Sequence, residues 1–155
     1  MMRYLVVSLL SVVAMATMLS TGSLAGDLSE QKLNTVVREF QTRLGMSEAI
    51  AVSIVEANEY LVSVQRSPDA EKGFIIQFER KFLPTLNDEE VRAVIAHELG
   101  HIWIFTHHPY LQTESLANEK ALQLVSRQSL EQVYGKVWVR TGQKGTLQDF
   151  LAKVE

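Results

Sequence analysis

The sequence predicts an α+β fold in a single domain: a small three-stranded, mainly antiparallel sheet packed against helices. Three observations predict it. Apolar residues recur at helical spacing near both ends of the mature chain, and short runs rich in β-branched and aromatic residues lie between positions 49 and 82. No internal repeat or Pro/Gly/Ser-rich linker divides the 155 residues. With 46% hydrophobic and 21% charged residues, collagen-like, low-complexity and disordered classes are excluded. A net charge of −3 with no basic run leaves no electrostatic footprint for nucleic acid. The absence of cysteine excludes disulfide frameworks, thiol catalysis and thiolate metal sites, so any metal must be held by His, Asp or Glu.

The elements follow in order. Arg3, the apolar run Tyr4–Met18 and the small residues of Ser23-Leu24-Ala25 read as a signal peptide cleaved after Ala25, leaving a domain of residues 26–155. Uncleaved, residues 4–25 would anchor the chain in the inner membrane. Asp27 or Ser29 can cap a helix that carries Leu33, Val36, Val37 and Phe40 at helical spacing and stops at Gly45. AIAVSIVE (49–56) and YLVSVQ (60–65), joined through Asn58-Glu59, predict a hairpin, and FIIQFERKF (74–82) predicts a third strand at a sheet edge. Asn87 with Glu90 three residues on predicts a capping box and a helix to about Phe105. A loop at His107–Leu111, a helix over about Thr113–Ser126, and weaker helices near Leu130–Val137 and Leu147–Val154 complete the chain.

The chemistry concentrates on the helix after Asn87. His97-Glu98-Leu99-Gly100-His101 is an HExxH pattern. Two imidazoles four residues apart project from one helical face about 6 Å apart along the axis, a separation that lets both coordinate one tetrahedral zinc. Glu98, turned ~100° from His97, can reach water at the metal without ligating it. The histidines sit among Val94, Ile95, Leu99 and Ile102 rather than on a polar face, which a surface role does not explain. A catalytic zinc needs a third protein ligand, and the next helix offers Glu114 and Glu119. These are about 140° apart around the helix, so both cannot face one metal. Glu114 shares its face with Asn118, whose amide can hydrogen-bond a coordinating histidine, and the small Ala117 lets the two helices approach closely.

NDEEVRAVIAHELGH (87–101), followed by Glu114-x-x-Ala117-Asn118-x-x-Ala121, resembles the gluzincin metallopeptidases, in particular the HtpX-type and ImmA/IrrE-type families. FIIQFERKFLPTLNDEE also resembles the HtpX-type domain, where an edge strand precedes the metal helix. The resemblance covers roughly residues 50–125. It implies a small zincin-like domain, one catalytic Zn2+ held by His97, His101 and Glu114, and Glu98 as the water-activating base. Two departures stand out: only twelve residues separate His101 from Glu114, short for these families, and the HtpX-type aspartate is Asn118 here.

Four further side chains are conceivable donors to an oxyanion: His107, His108, Tyr110 and Tyr134, each also readable as an ordinary loop or core residue. Trp103, Phe105 and Trp138 read as core or pocket-lining aromatics. The function expected is a zinc-dependent endopeptidase of the bacterial cell envelope, periplasmic or secreted, acting on peptide or unfolded-protein substrates laid along residues 74–80. An uncleaved leader would hold it at the membrane. The competing class is a non-catalytic metallopeptidase-like module that binds zinc or a partner protein; intact Glu98 argues against it, since binding needs no water-activating carboxylate.

Overall fold

The computed structural model describes residues 21–69 and 73–142. The expected helix at Leu147–Val154 and most of the expected leader lie outside these residues. The first helix, α1 (Thr21–Leu44), starts earlier than expected and ends where Gly45 takes a φ of +65°, a left-handed conformation that stops a helix without steric cost. It buries Leu33, Val37 and Phe40. No described helix is long and apolar enough to cross a membrane.

The sheet holds β1 (Ile50–Val55), β2 (Val62–Arg66) and β3 (Phe74–Glu79) in the order β1-β3-β2. β1 runs parallel to β3, and β2 runs antiparallel to it. The sheet is therefore mixed, and the expected β1–β2 hairpin is corrected: β3 lies between them, at the centre rather than at an edge. The cause is apolar content. β3 buries Phe74, Ile76 and Phe78 and half-buries Ile75, so it needs cover on both faces, whereas β2 is exposed at Gln65 and Arg66. Asn58 diverts the β1–β2 connection. Its amide donates to the Gln77 carbonyl at 3.2 Å and its Oδ1 accepts from the Tyr60 amide at 3.1 Å, which holds the turn against β3.

The two sheet edges differ. On β1 the outward amides are taken by α1: Val52 donates to Asn34 Oδ1 at 3.1 Å and Ile54 to Glu30 Oε1 at 2.9 Å. Among the described residues, no side-chain bonds of this kind cap the outer edge of β2. Leu61 and Ser67 bond toward the β3 side, through Glu79 and Gly73, so alternation turns Val62, Val64 and Arg66 outward, with the Val62 N–H already donated to the Tyr60 carbonyl at 2.7 Å.

Against the sheet packs α2 (Asp88–His107), opened by the predicted capping box: Glu90 N–H donates to Asn87 Oδ1, and the Glu90 carboxylate accepts from Asn87 N–H. The helix runs two residues past the expected end. His108 and a 3-10 turn at Pro109–Leu111 reverse the chain into α3 (Glu114–Ala121), capped by Thr113. Twelve residues after His101 therefore suffice to bring a second helix back alongside the first. The single helix expected over 113–126 is instead α3 and a turn, because Ser126 caps a new helix, α4 (Arg127–Thr141), longer than expected. Lys136 of α4 donates to both the Glu90 carboxylate and the Thr85 carbonyl at 2.7 Å, tying α4 to the start of α2.

Candidate metal centre

Gly100 sets the distance between the two helices that carry the site. A Cβ there would lie 2.5 Å from the carbonyl oxygen of Ala117, so α2 and α3 touch backbone to backbone at this level. One turn before Ala117 stands Glu114, and one residue after it Asn118. Both are thereby held against the face of α2 that presents His97 and His101.

The ligand atoms converge. His97 Nε2 lies 3.0 Å from His101 Nε2 and 3.1 Å from Glu114 Oε2, and His101 Nε2 lies 3.5 Å from the same oxygen. Among the described residues these three form the His/Asp/Glu group able to hold a metal ion, all ligand atoms within 4.8 Å of one another. Two ligands bound at ~2.0–2.1 Å with a tetrahedral angle between them are about 3.3 Å apart, which the three separations bracket. The donor set fits zinc. Glu119, the other expected candidate, stays exposed on α3 and outside this group.

The outer nitrogens of both imidazoles are occupied. Asn118 is fully buried, and its Oδ1 accepts from His97 Nδ1 at 2.8 Å, which fixes the tautomer and leaves Nε2 bearing its lone pair toward the site. The Asn118 Nδ2 has no hydrogen-bond partner among the described residues. Gln112 straddles His101, with Oε1 3.4 Å from Nδ1 and Nε2 donating to the His101 carbonyl at 3.2 Å. Sequence reasoning missed Gln112; only its place just before the Thr113 cap marks it.

Burial pushes the pKa of Glu98 up, opposed by the nearby His97 and His101 and, least, by the backbone amide of Val64, while the Glu114 charge pushes it up further. For Glu114, burial acts upward too, but hydrogen bonds from His101 and His97 outweigh it and hold the carboxyl well below its usual range. At His101 burial opposes the charged form, yet the Glu114 hydrogen bond and the charges of Glu98 and Glu114 raise its pKa. Burial and the same two carboxylates raise Tyr134 well above an ordinary phenol.

A cavity of about 620 Å³ opens over this group, bounded by β2 on one side and α4 on the other. Of the four conceivable oxyanion donors, Tyr134 lines it, its ring meeting the His97 ring edge-on at 5.0 Å. The other three do not. His107 stacks on Trp103 at 4.3 Å and donates to its carbonyl, His108 tilts toward the same indole, and Tyr110 is 98% exposed. Phe105 and Trp138 line the cavity, as pocket-lining aromatics, whereas Trp103 packs outside it under Lys120.

The sequence model described as Peptidase family M48 matches residues 27–152, most of the chain. Among solved structures, the crystal structure of the metallopeptidase zymogen of Pyrococcus abyssi abylysin matches with a TM-score of 0.52 and 14% sequence identity. The match covers 74% of this chain and 99% of that one, and at such identity it speaks for the fold alone. A comparison with curated proteins found no match. The family match spans every element that builds the His-His-Glu group, and the chain accordingly belongs to peptidase family M48, the gluzincin-type zinc metallopeptidases.

Proposed function

We propose that this metallopeptidase is an endopeptidase of the cell envelope, with one catalytic zinc on His97, His101 and Glu114. The observation that carries the reading is Glu98: a buried carboxylate beside three convergent ligand atoms and facing the cavity. Zinc, when bound, supplies the Lewis acidity that polarises the scissile carbonyl and acidifies water. Glu98 takes the proton from the attacking water and delivers it to the leaving amine; its upward-pushed pKa suits a group that must do both near neutral pH. The Tyr134 hydroxyl donates to the carbonyl oxygen as that oxygen gains charge. The substrate pairs as an extended strand with the open edge of β2, in place of the residue 74–80 strand expected from the sequence, because β3 is central and β1 is covered by α1.

Export rests on Arg3, the apolar run and Ser23-Leu24-Ala25. Cleavage after Ala25 would leave in place the α1 side chains that bind the sheet and the core among the described residues, Glu30, Asn34, Leu33, Val37 and Phe40.

The experiment compares the zinc-loaded protein with Glu98→Gln. We expect the variant to keep about one zinc per chain and lose nearly all hydrolysis of an unfolded protein substrate, because an amide cannot take the proton from water. Loss of zinc by the variant, or full activity, refutes the assigned role. A wild-type protein that binds zinc and hydrolyses nothing transfers it to the binding-module class.

A further inference from the structure

Among the described residues the cavity has one arginine or lysine, at the far end of the edge strand from the turn at Leu61. Arg66 closes β2, and its guanidinium lies 4.7 Å from the ring centroid of Phe105 and 5.6 Å from that of Phe74. The two rings meet edge-on at 5.7 Å, and all three residues line the cavity. Phe74 is the cross-strand neighbour of Arg66, and Phe105 projects from α2 one turn beyond His101. The surface arginines Arg80 and Arg92 are paired with Glu56 and Glu39, but Arg66 has no ion-pair partner among the described residues. A guanidinium within cation–π reach of two rings set 74° apart is positioned by its carbon and keeps N–H groups that can point into the cavity.

From this placement we infer that Arg66, Phe74 and Phe105 form a specificity subsite for an acidic side chain of the peptide substrate. The inference rests on the peptidase reading above and names the substrate class. An aromatic floor takes the methylenes of a glutamate or aspartate, and the guanidinium edge takes its carboxylate in a charge-assisted pair. Register fixes the distance. Val64 and Glu98 both line the cavity, and Arg66 lies two residues beyond Val64 along the same outward-facing row, ~6.8 Å on. A substrate strand paired with β2 therefore presents the acidic residue about two positions from the scissile bond.

The experiment has a binding arm that does not depend on hydrolysis. Zinc-loaded Glu98→Gln protein is titrated with fluorescent peptides that differ only in carrying Glu, Gln or Lys at one position. We expect Glu over Gln by about tenfold in affinity, shrinking between 0.1 and 1 M salt as screening shortens. Arg66→Gln removes the preference, and Arg66→Glu inverts it toward Lys. In the hydrolysis arm, the acidic position maps within about two residues of the cut in the wild type and moves to a basic residue in Arg66→Glu. Equal affinity for the three peptides, or a Glu preference that persists in Arg66→Glu, overturns the subsite. A peptide bound with the expected preference by a wild type that never cuts leaves the subsite standing and refutes the peptidase activity instead.

Discussion

Replacing Gly100 with alanine tests whether backbone contact between α2 and α3 is what assembles the metal centre. The new Cβ would stand 2.5 Å from the Ala117 carbonyl oxygen, 3.0 Å from its Cα and 3.1 Å from its carbonyl carbon. Ordinary contact begins near 3.4 Å, so α3 must retreat by about 0.9 Å. Backbone cannot yield as a flexible side chain does, and the retreat carries Glu114 and Asn118 with it. A bond of 2.8 Å from His97 to Asn118 lengthens beyond hydrogen-bonding range. Glu114 Oε2 leaves a ligand triangle whose metal distances tolerate only about ±0.2 Å. We therefore expect zinc affinity to fall by at least tenfold in competition with a chromophoric chelator. Apo stability should fall by about 1 kcal/mol, because overpacking of ~1–3 kcal/mol outweighs the helix propensity that alanine adds. Each tenfold loss of affinity removes a further ~1.4 kcal/mol of zinc-dependent stabilisation at saturating metal. Gly135→Ala is the control: it lies within α4, a Cβ there would meet nothing within 4 Å, and it should raise stability by ~0.5–1 kcal/mol without touching zinc. If Gly100→Ala behaves like Gly135→Ala in both measurements, the close approach is irrelevant to the site and the reasoning fails.

The remaining predictions concern side chains at the site. Glu114→Ala should lose zinc on dialysis against a weak chelator while Glu119→Ala, exposed and outside the ligand group, keeps it and changes stability by no more than ~0.5 kcal/mol; the reverse result moves the ligand to Glu119. Tyr134→Phe should lower kcat by about 10²–10³ with KM and zinc content little changed, as loss of one donor to a developing oxyanion does elsewhere. Unchanged kcat in that variant makes Tyr134 a packing residue of the cavity wall.

What the sequence disclosed and what it hid divide along the range of the interactions. The capping box at Asn87 and Glu90, the HExxH face and the Glu114-to-Asn118 spacing are decided within four residues, and each appears in the structure where helical geometry puts it. The break at Ser126 is equally local and legible as a cap, but the apolar run of Leu122, Leu124 and Val125 argues for continuing the helix. Sheet order is another matter. A parallel β1–β3 pairing joins residues 24 apart, as Ile50 with Phe74, and a short connection between two β-rich runs reads as a hairpin unless a side chain holds it elsewhere, as Asn58 does. One signal is present: Phe74-Ile75-Ile76 does not alternate, which suits a central strand covered on both faces better than an edge.

The misplaced strand has a functional consequence that the motif alone could not supply. With β3 at an edge, the expected substrate would lie along residues 74–80, and Arg66 would be one more surface arginine. With β3 central, the outward row of β2 becomes Val62, Val64 and Arg66, all of which line the cavity together with Glu98. The same strand thus borders the cavity that Glu98 faces and ends at a cation beside two aromatic rings. HExxH specifies the reaction because two imidazoles and a carboxylate need only a helix to be arranged. Selection among peptides needs an edge, a register and a side chain two residues along it, and those are fixed by pairings that only the folded chain makes.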